Sequence, residues 1–111
     1  MPNDLSWEDF QKVDIRTGTI VTAEVFDKAR KPAYKMVIDF GELGQKKTSA
    51  QITDKYRPED LIGKQVVAVV NFPPKQIANF MSECLVLGAV EEDGVNLLQT
   101  SLPGKNGVRI G

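Results

Sequence analysis

Three groups of charged side chains stand close enough in this sequence to do chemistry together. They are Glu91, Glu92 and Asp93; Asp14 and Arg16; and Lys28, Arg30, Lys31 and Lys35. Neighbouring carboxylates serve as acid and base only where a cleft shifts one against another. Glu91–Asp93 run into Gly94, an Asp-Gly turn signal, so they read as a solvated hairpin turn. Asp14 and Arg16 stand two apart on one strand face and read either as a structural ion pair or as a pair that orients a loop or a phosphate. The cations from Lys28 to Lys35 suit phosphates, because such groups position a nucleic-acid backbone without reading its sequence. A further group is apolar: Phe72, Ile77, Phe80 and Met81 lie around Pro73 and Pro74. They read either as a loop packed onto the core or as a pocket in which bases stack or side chains of an unfolded chain insert, with Tyr34 joining it across the cleft.

Composition excludes much else. The chain has no histidine and one cysteine, Cys84. That removes the Ser-His-Asp and Cys-His arrangements, every zinc site that needs histidine, and any intramolecular disulfide. No catalytic residue, metal site or cofactor is expected. The formal net charge is -1, from 14 basic and 15 acidic residues, whereas a general DNA binder is far more basic. Any nucleic acid is therefore expected on a local patch, weakly and with strong salt dependence. The longest apolar runs, Val66–Val70 and Leu85–Val90, fall far below the roughly 18 residues of a spanning helix. Met1-Pro2-Asn3-Asp4 lacks the layout of a signal peptide. A cytoplasmic protein without membrane insertion is expected.

These residues need a scaffold. Ser6-Trp7-Glu8-Asp9 predicts a capped short helix from Trp7 to about Gln11, with Trp7 and Phe10 on one side. Trp7 reads either as a lid on the core or as a contact between subunits. A long strand follows from Val13 to Val25, and Gly18 inside it suggests a bulge or sharp coil. Lys35–Phe40 alternates, with Met36, Ile38 and Phe40 on the inner face. Gln45–Ile52 reads as a polar edge strand protected by Lys46 and Lys47. Pro58 to Gly63 predicts a short helix. Gln65–Asn71 reads as a buried strand broken by Phe72-Pro73-Pro74, Glu83–Val90 as the next strand, and Val95–Gln99 as its return. Val108–Ile110 reads as a last short strand. Five core strands with a helix after the third predict an all-β fold: a five-stranded OB-type Greek-key barrel with small terminal extensions. One domain is expected over residues 1–111, with its core at about 10–90.

Several segments also carry a resemblance. Phe10-Gln11-Lys12-Val13-Asp14-Ile15-Arg16-Thr17-Gly18-Thr19-Ile20 looks like the opening strand of the tRNA-binding OB domain appended to some bacterial methionyl-tRNA synthetases. Val69-Val70-Asn71-Phe72-Pro73-Pro74-Lys75 resembles that family's N-L-x-P-x-K/R segment, and Ser82 its following serine. Where the family often reads S-Q-G-M, this chain has Ser82-Glu83-Cys84-Leu85. That variant, with Phe72-Pro73-Pro74-Lys75-Gln76-Ile77 upstream, is similar to the CsaA branch, whose members are small homodimers regarded as export-related chaperones.

The resemblance implies two uses of one cleft. A holdase would take unfolded or exported polypeptides through Tyr34, Phe72, Ile77, Phe80 and Met81, because accessible apolar surface with low specificity is what that task needs. A structure-specific tRNA binder would use Arg30, Lys31, Lys35, Asn71, Lys75 and Ser82. The resemblance also implies a homodimer. Apolar residues toward the chain ends, Trp7, Phe10, Leu97, Leu98, Leu102 and Ile110, are expected at its interface, and the extensions 1–9 and 91–111 are expected to take part in it.

Overall fold

A computed structural model describes residues 3–111. The reading of Met1 and Pro2 lies outside the described residues. Helix α1 (Trp7–Gln11) starts where expected, because the Ser6 side chain accepts a hydrogen bond from the Asp9 amide at 3.0 Å. Trp7 and Phe10 pack together, ring centroids 5.5 Å apart. The helix buries nothing, and Trp7 is 66% exposed, so it is no lid on the core.

Strand β1 (Ile15–Val25) organises the barrel. Its first half pairs antiparallel with β4 (Gln65–Val69) and its second half with β2 (Tyr34–Asp39). One strand serving two neighbours in succession must coil, as closing a small barrel requires. The register slips between Ile20 and Thr22, so the bulge falls at Val21 and not at Gly18. Gly18 has a different reason. A Cβ there would sit 2.6 Å from Ile38 Cγ2 and 2.7 Å from Phe40 Cε1, so only glycine lets the inner face of β2 approach.

β2 alternates as expected, with Tyr34, Met36 and Ile38 buried. Beyond a 3-10 turn (Gly41–Leu43) it pairs with β3 (Gln45–Ala50), the edge of a five-stranded sheet. Helix α2 (Pro58–Leu61) crosses between β3 and β4 and drives Leu61 into the core. β4 ends at Val69, earlier than its apolar run suggests. Val70 instead donates to Asp14 O, and Asn71 turns back to the start of β1.

The segment expected as a loop contains a hairpin, β5 (Lys75–Ile77) and β6 (Phe80–Ser82). The expected strand Glu83–Val90 is split. β7 (Leu85–Val86) pairs with β4, and β8 (Gly88–Glu91) pairs with β9 (Gly94–Leu97) around Glu92 and Asp93. Leu87 breaks the run because its amide donates to Val67 O while its carbonyl accepts from Leu98.

The residues between β6 and β7 close the barrel against β3. Glu83 N donates to Lys47 O at 2.8 Å, and the Glu83 carboxylate accepts from Lys47 N at 2.8 Å. Thr48 Oγ1 donates to Cys84 O at 2.7 Å inside the closure. The result is a nearly closed, five-stranded antiparallel barrel of OB type with two short helices. Ile20, Met36, Ile38, Phe40, Leu61 and Val66 fill it. The tail runs along the remaining edge of β1, where Thr17 N donates to Val108 O and Ile110 N to Ile15 O. Leu97 is 8% exposed and packs within this core, which corrects its expected place at a subunit interface. Among the described residues no helix is long and apolar enough to cross a membrane.

Candidate functional site

Two adjoining cavities lie beside the β5–β6 hairpin. The first, about 310 Å³, is walled by Phe72, Pro73, Ile77 and Leu85, with Cys84 at its base. The second, about 580 Å³, runs past Arg30, Lys31 and Gln76 to Gln51. Ser49, Lys75 and Ile77 line both, so they form one groove, apolar at one end and basic at the other. No carboxylate lines it. Among the described residues Arg30, Lys31 and Lys75 make no ion pair, although the chain as a whole is slightly acidic. Their fields therefore reach into the groove uncompensated.

Burial pushes the Cys84 thiol up to about 11. Its burial and protonation make it wall and not nucleophile. Lys55 holds Glu91 and Asp93 at 3.0 and 3.1 Å. The Lys55 bond holds the Asp93 carboxyl below the usual carboxylate range, and the two acids push Lys55 up. The acidic turn is thus a clamp onto the loop after β3. Asp14 and Arg16 form a 2.6 Å pair, and Arg16 also donates to Gly107 O. Both arrangements are structural.

Residues 15–109 match the family model "Putative tRNA binding domain". The chain belongs to this family. The methionine–tRNA ligases of Porphyromonas gingivalis and Methanococcoides burtonii are 41% and 38% identical over 91 and 96 residues. Those stretches are 82% and 86% of this chain but 13% and 14% of the ligases, so the chain spans a small part of these relatives. The chaperone CsaA of Bacillus anthracis superposes with a TM-score of 0.93 at 56% identity, covering 97% of this chain and 99% of its own. The CsaA chaperone protein of Picrophilus torridus gives 0.93 at 52% identity, with 97% and 100% covered. A MetRS related protein of Pyrococcus horikoshii gives 0.87 at 28% identity, with 98% and 99% covered. This chain is a CsaA-type member of that tRNA-binding domain family.

The family's motif residues part company in the structure. Lys75 lies in the groove. Asn71 does not: its side chain accepts from Asp14 N at 3.0 Å and donates to Lys12 O at 2.7 Å, fastening the link between α1 and β1. Ser82 lines the apolar cavity, but its hydroxyl accepts from Ser49 N at 3.2 Å and so helps close the barrel. Lys35 pairs with Glu24 at 3.4 Å and rests over the rings of Phe26 and Phe80, off the groove.

The expected apolar set also divides. Phe72 and Ile77 wall the cavity, whereas Phe80 packs edge-on against Phe26 at 5.4 Å. Met81 pairs with Gln76, one residue out of step with Ile77 and Phe80, and so lies on the opposite face of the hairpin. Tyr34 is corrected outright. It is 7% exposed, and its hydroxyl donates to Tyr56 O at 2.6 Å, so it belongs to the core and not to an open cleft. Sequence reasoning missed Ser49, Gln76 and Leu85. Leu85 stood in an apolar run that read as core, and Ser49 and Gln76 carried no signal of their own.

A separate cavity of about 590 Å³ lies between Lys64, Gln65 and the segment Gln99–Gly104. Its polar groups are largely occupied: Gln65 Nε2 donates to Gly104 O at 2.9 Å, and Gln65 Oε1 accepts from Thr100 at 3.2 Å.

Proposed function

We propose that this protein is a chaperone-type binding module that holds unfolded polypeptide in the groove beside β5. The carrying observation is the apolar cavity of about 310 Å³ walled by Phe72, Pro73, Ile77 and Leu85. Phe72 is 55% exposed, so it offers apolar area that a client side chain can cover. Covering one large apolar side chain contributes about 1.5–3 kcal/mol, which supports weak, sequence-tolerant binding. The high likeness to two CsaA chaperones supports the same reading. Clients are polypeptides in the cytoplasm, including those bound for export.

The basic end of the groove favours a second reading. Arg30, Lys31 and Lys75 suit phosphates, and the family is named for tRNA binding. On that reading tRNA shares the groove with polypeptide. Titration with an unfolded apolar peptide and with bulk tRNA, each at low and moderate salt, separates the two. Peptide binding that survives salt and weakens in Phe72→Ala supports the chaperone. Absence of peptide binding, with tRNA binding that falls steeply with salt, would put RNA first.

We further infer a homodimer. Trp7, Leu98 and Leu102 are exposed, and Phe10 and Ile110 are partly exposed beside them in the chain. A two-fold contact would cover such surface. Sedimentation equilibrium should show a dimer; a monomer at all micromolar concentrations would refute it.

A further inference from the structure

We propose that the groove binds its polypeptide as an added β-strand along the open edge of β5, an inference that rests on the polypeptide reading above. Four consecutive residues, Lys75, Gln76, Ile77 and Ala78, line the basic cavity. Side chains of a strand alternate between faces, so consecutive residues line a space together only when the strand turns its edge to it. The two-residue turn Ala78-Asn79 makes Ile77 and Phe80 the hydrogen-bonded pair next to the turn. Gln76 and Met81 are then the pair that exchanges no bonds, and the Gln76 N–H and C=O point away from β6, into the groove. The Gln76 side chain does not cover them, because its Nε2 reaches Ala78 O at 3.2 Å.

The edge is short by construction. Pro73 and Pro74 precede β5 and have no amide to donate. A bound strand therefore gains its backbone bonds mainly at Gln76, with side-chain burial supplying the rest. Short pairing also blunts β5 against edge-to-edge aggregation. The groove specifies the strand's composition by complementarity. It presents Arg30, Lys31 and Lys75, no carboxylate, and the apolar wall. The matching segment is extended, with an apolar side chain for the cavity and carboxylates for the basic end.

The test uses a short fluorescein-labelled peptide alternating leucine with glutamate, followed by anisotropy. It is compared with copies N-methylated at one backbone nitrogen at a time. N-methylation at the one position that donates to Gln76 O should weaken binding about tenfold, the loss of one backbone hydrogen bond, with the neighbouring positions little affected. Gln76→Pro, which deletes the groove-facing N–H while sparing the β5–β6 ladder, should weaken the parent peptide similarly. Uniform tolerance of N-methylation, or full binding by Gln76→Pro, would overturn the added strand while leaving the polypeptide reading in place. No binding of the parent peptide would overturn both.

Discussion

At the scale of single residues, side chains of one type serve different ends, and the structure sorts them by what they touch. Asn71 bonds both Lys12 and Asp14. Asn71→Ala should therefore lower stability by about 1–2 kcal/mol, read in a urea melt, and leave tRNA and peptide affinity unchanged. Phe72 is exposed and walls the groove, so Phe72→Ala should leave the melt within about 0.5 kcal/mol and weaken peptide binding about tenfold. Cys84 gives a pH prediction. Its thiol is raised from 9.0 to about 11 on folding. The folded chain thus keeps a proton that the unfolded chain releases, and this stability is present below pH 9 and lost as pH rises toward about 11. Comparing the thermal midpoint of the wild type and Cys84→Ala across that window should show the wild type falling more steeply. Arg30, Lys31, Lys75, Phe72 and Ile77 were legible in the sequence as groove residues, since cations and apolar groups near prolines advertise themselves. Tyr34 and Leu97 were misplaced because an aromatic or leucine looks alike in sequence whether it faces a cleft or the core.

At the scale of elements, the long bent β1, the alternating β2 and the short α2 followed from period, glycine and proline signals. The β5–β6 hairpin did not. Its strands have three residues each, too few to show a period, and its turn lacks glycine. Ala78 takes φ 53°, the left-handed region that glycine favours. Ala78→Gly should accordingly raise stability by about 0.5–1 kcal/mol, measured by chemical denaturation. Gly18 tests the barrel wall in the opposite sense. Gly18→Ala would force Ile38 and Phe40 apart and should lower stability by about 1–3 kcal/mol in the same assay. The split of the expected Glu83–Val90 strand was also hidden, because an apolar run does not say which neighbour each residue pairs with.

At the scale of the whole molecule, a near-neutral chain gathers unpaired cations on one groove and joins them to an apolar cavity. The barrel class was legible because strand count and helix position survive errors at strand ends. The groove was legible only in part, since Ser49 and Lys75 are brought together by barrel closure through Glu83 and Ser82, a long-range event without a local signal. Mixed character predicts mixed salt response: tRNA affinity should fall steeply between low and moderate salt, and peptide affinity only modestly. The most direct measurement is titration of ¹⁵N-labelled protein with the leucine–glutamate peptide, following backbone amide shifts. The groove reading predicts the largest changes at Lys75–Ala78, Ser49 and Leu85, with Gln99–Gly104 unmoved. Changes confined to Gln99–Gly104, or absent from the β5 edge at saturation, would contradict it.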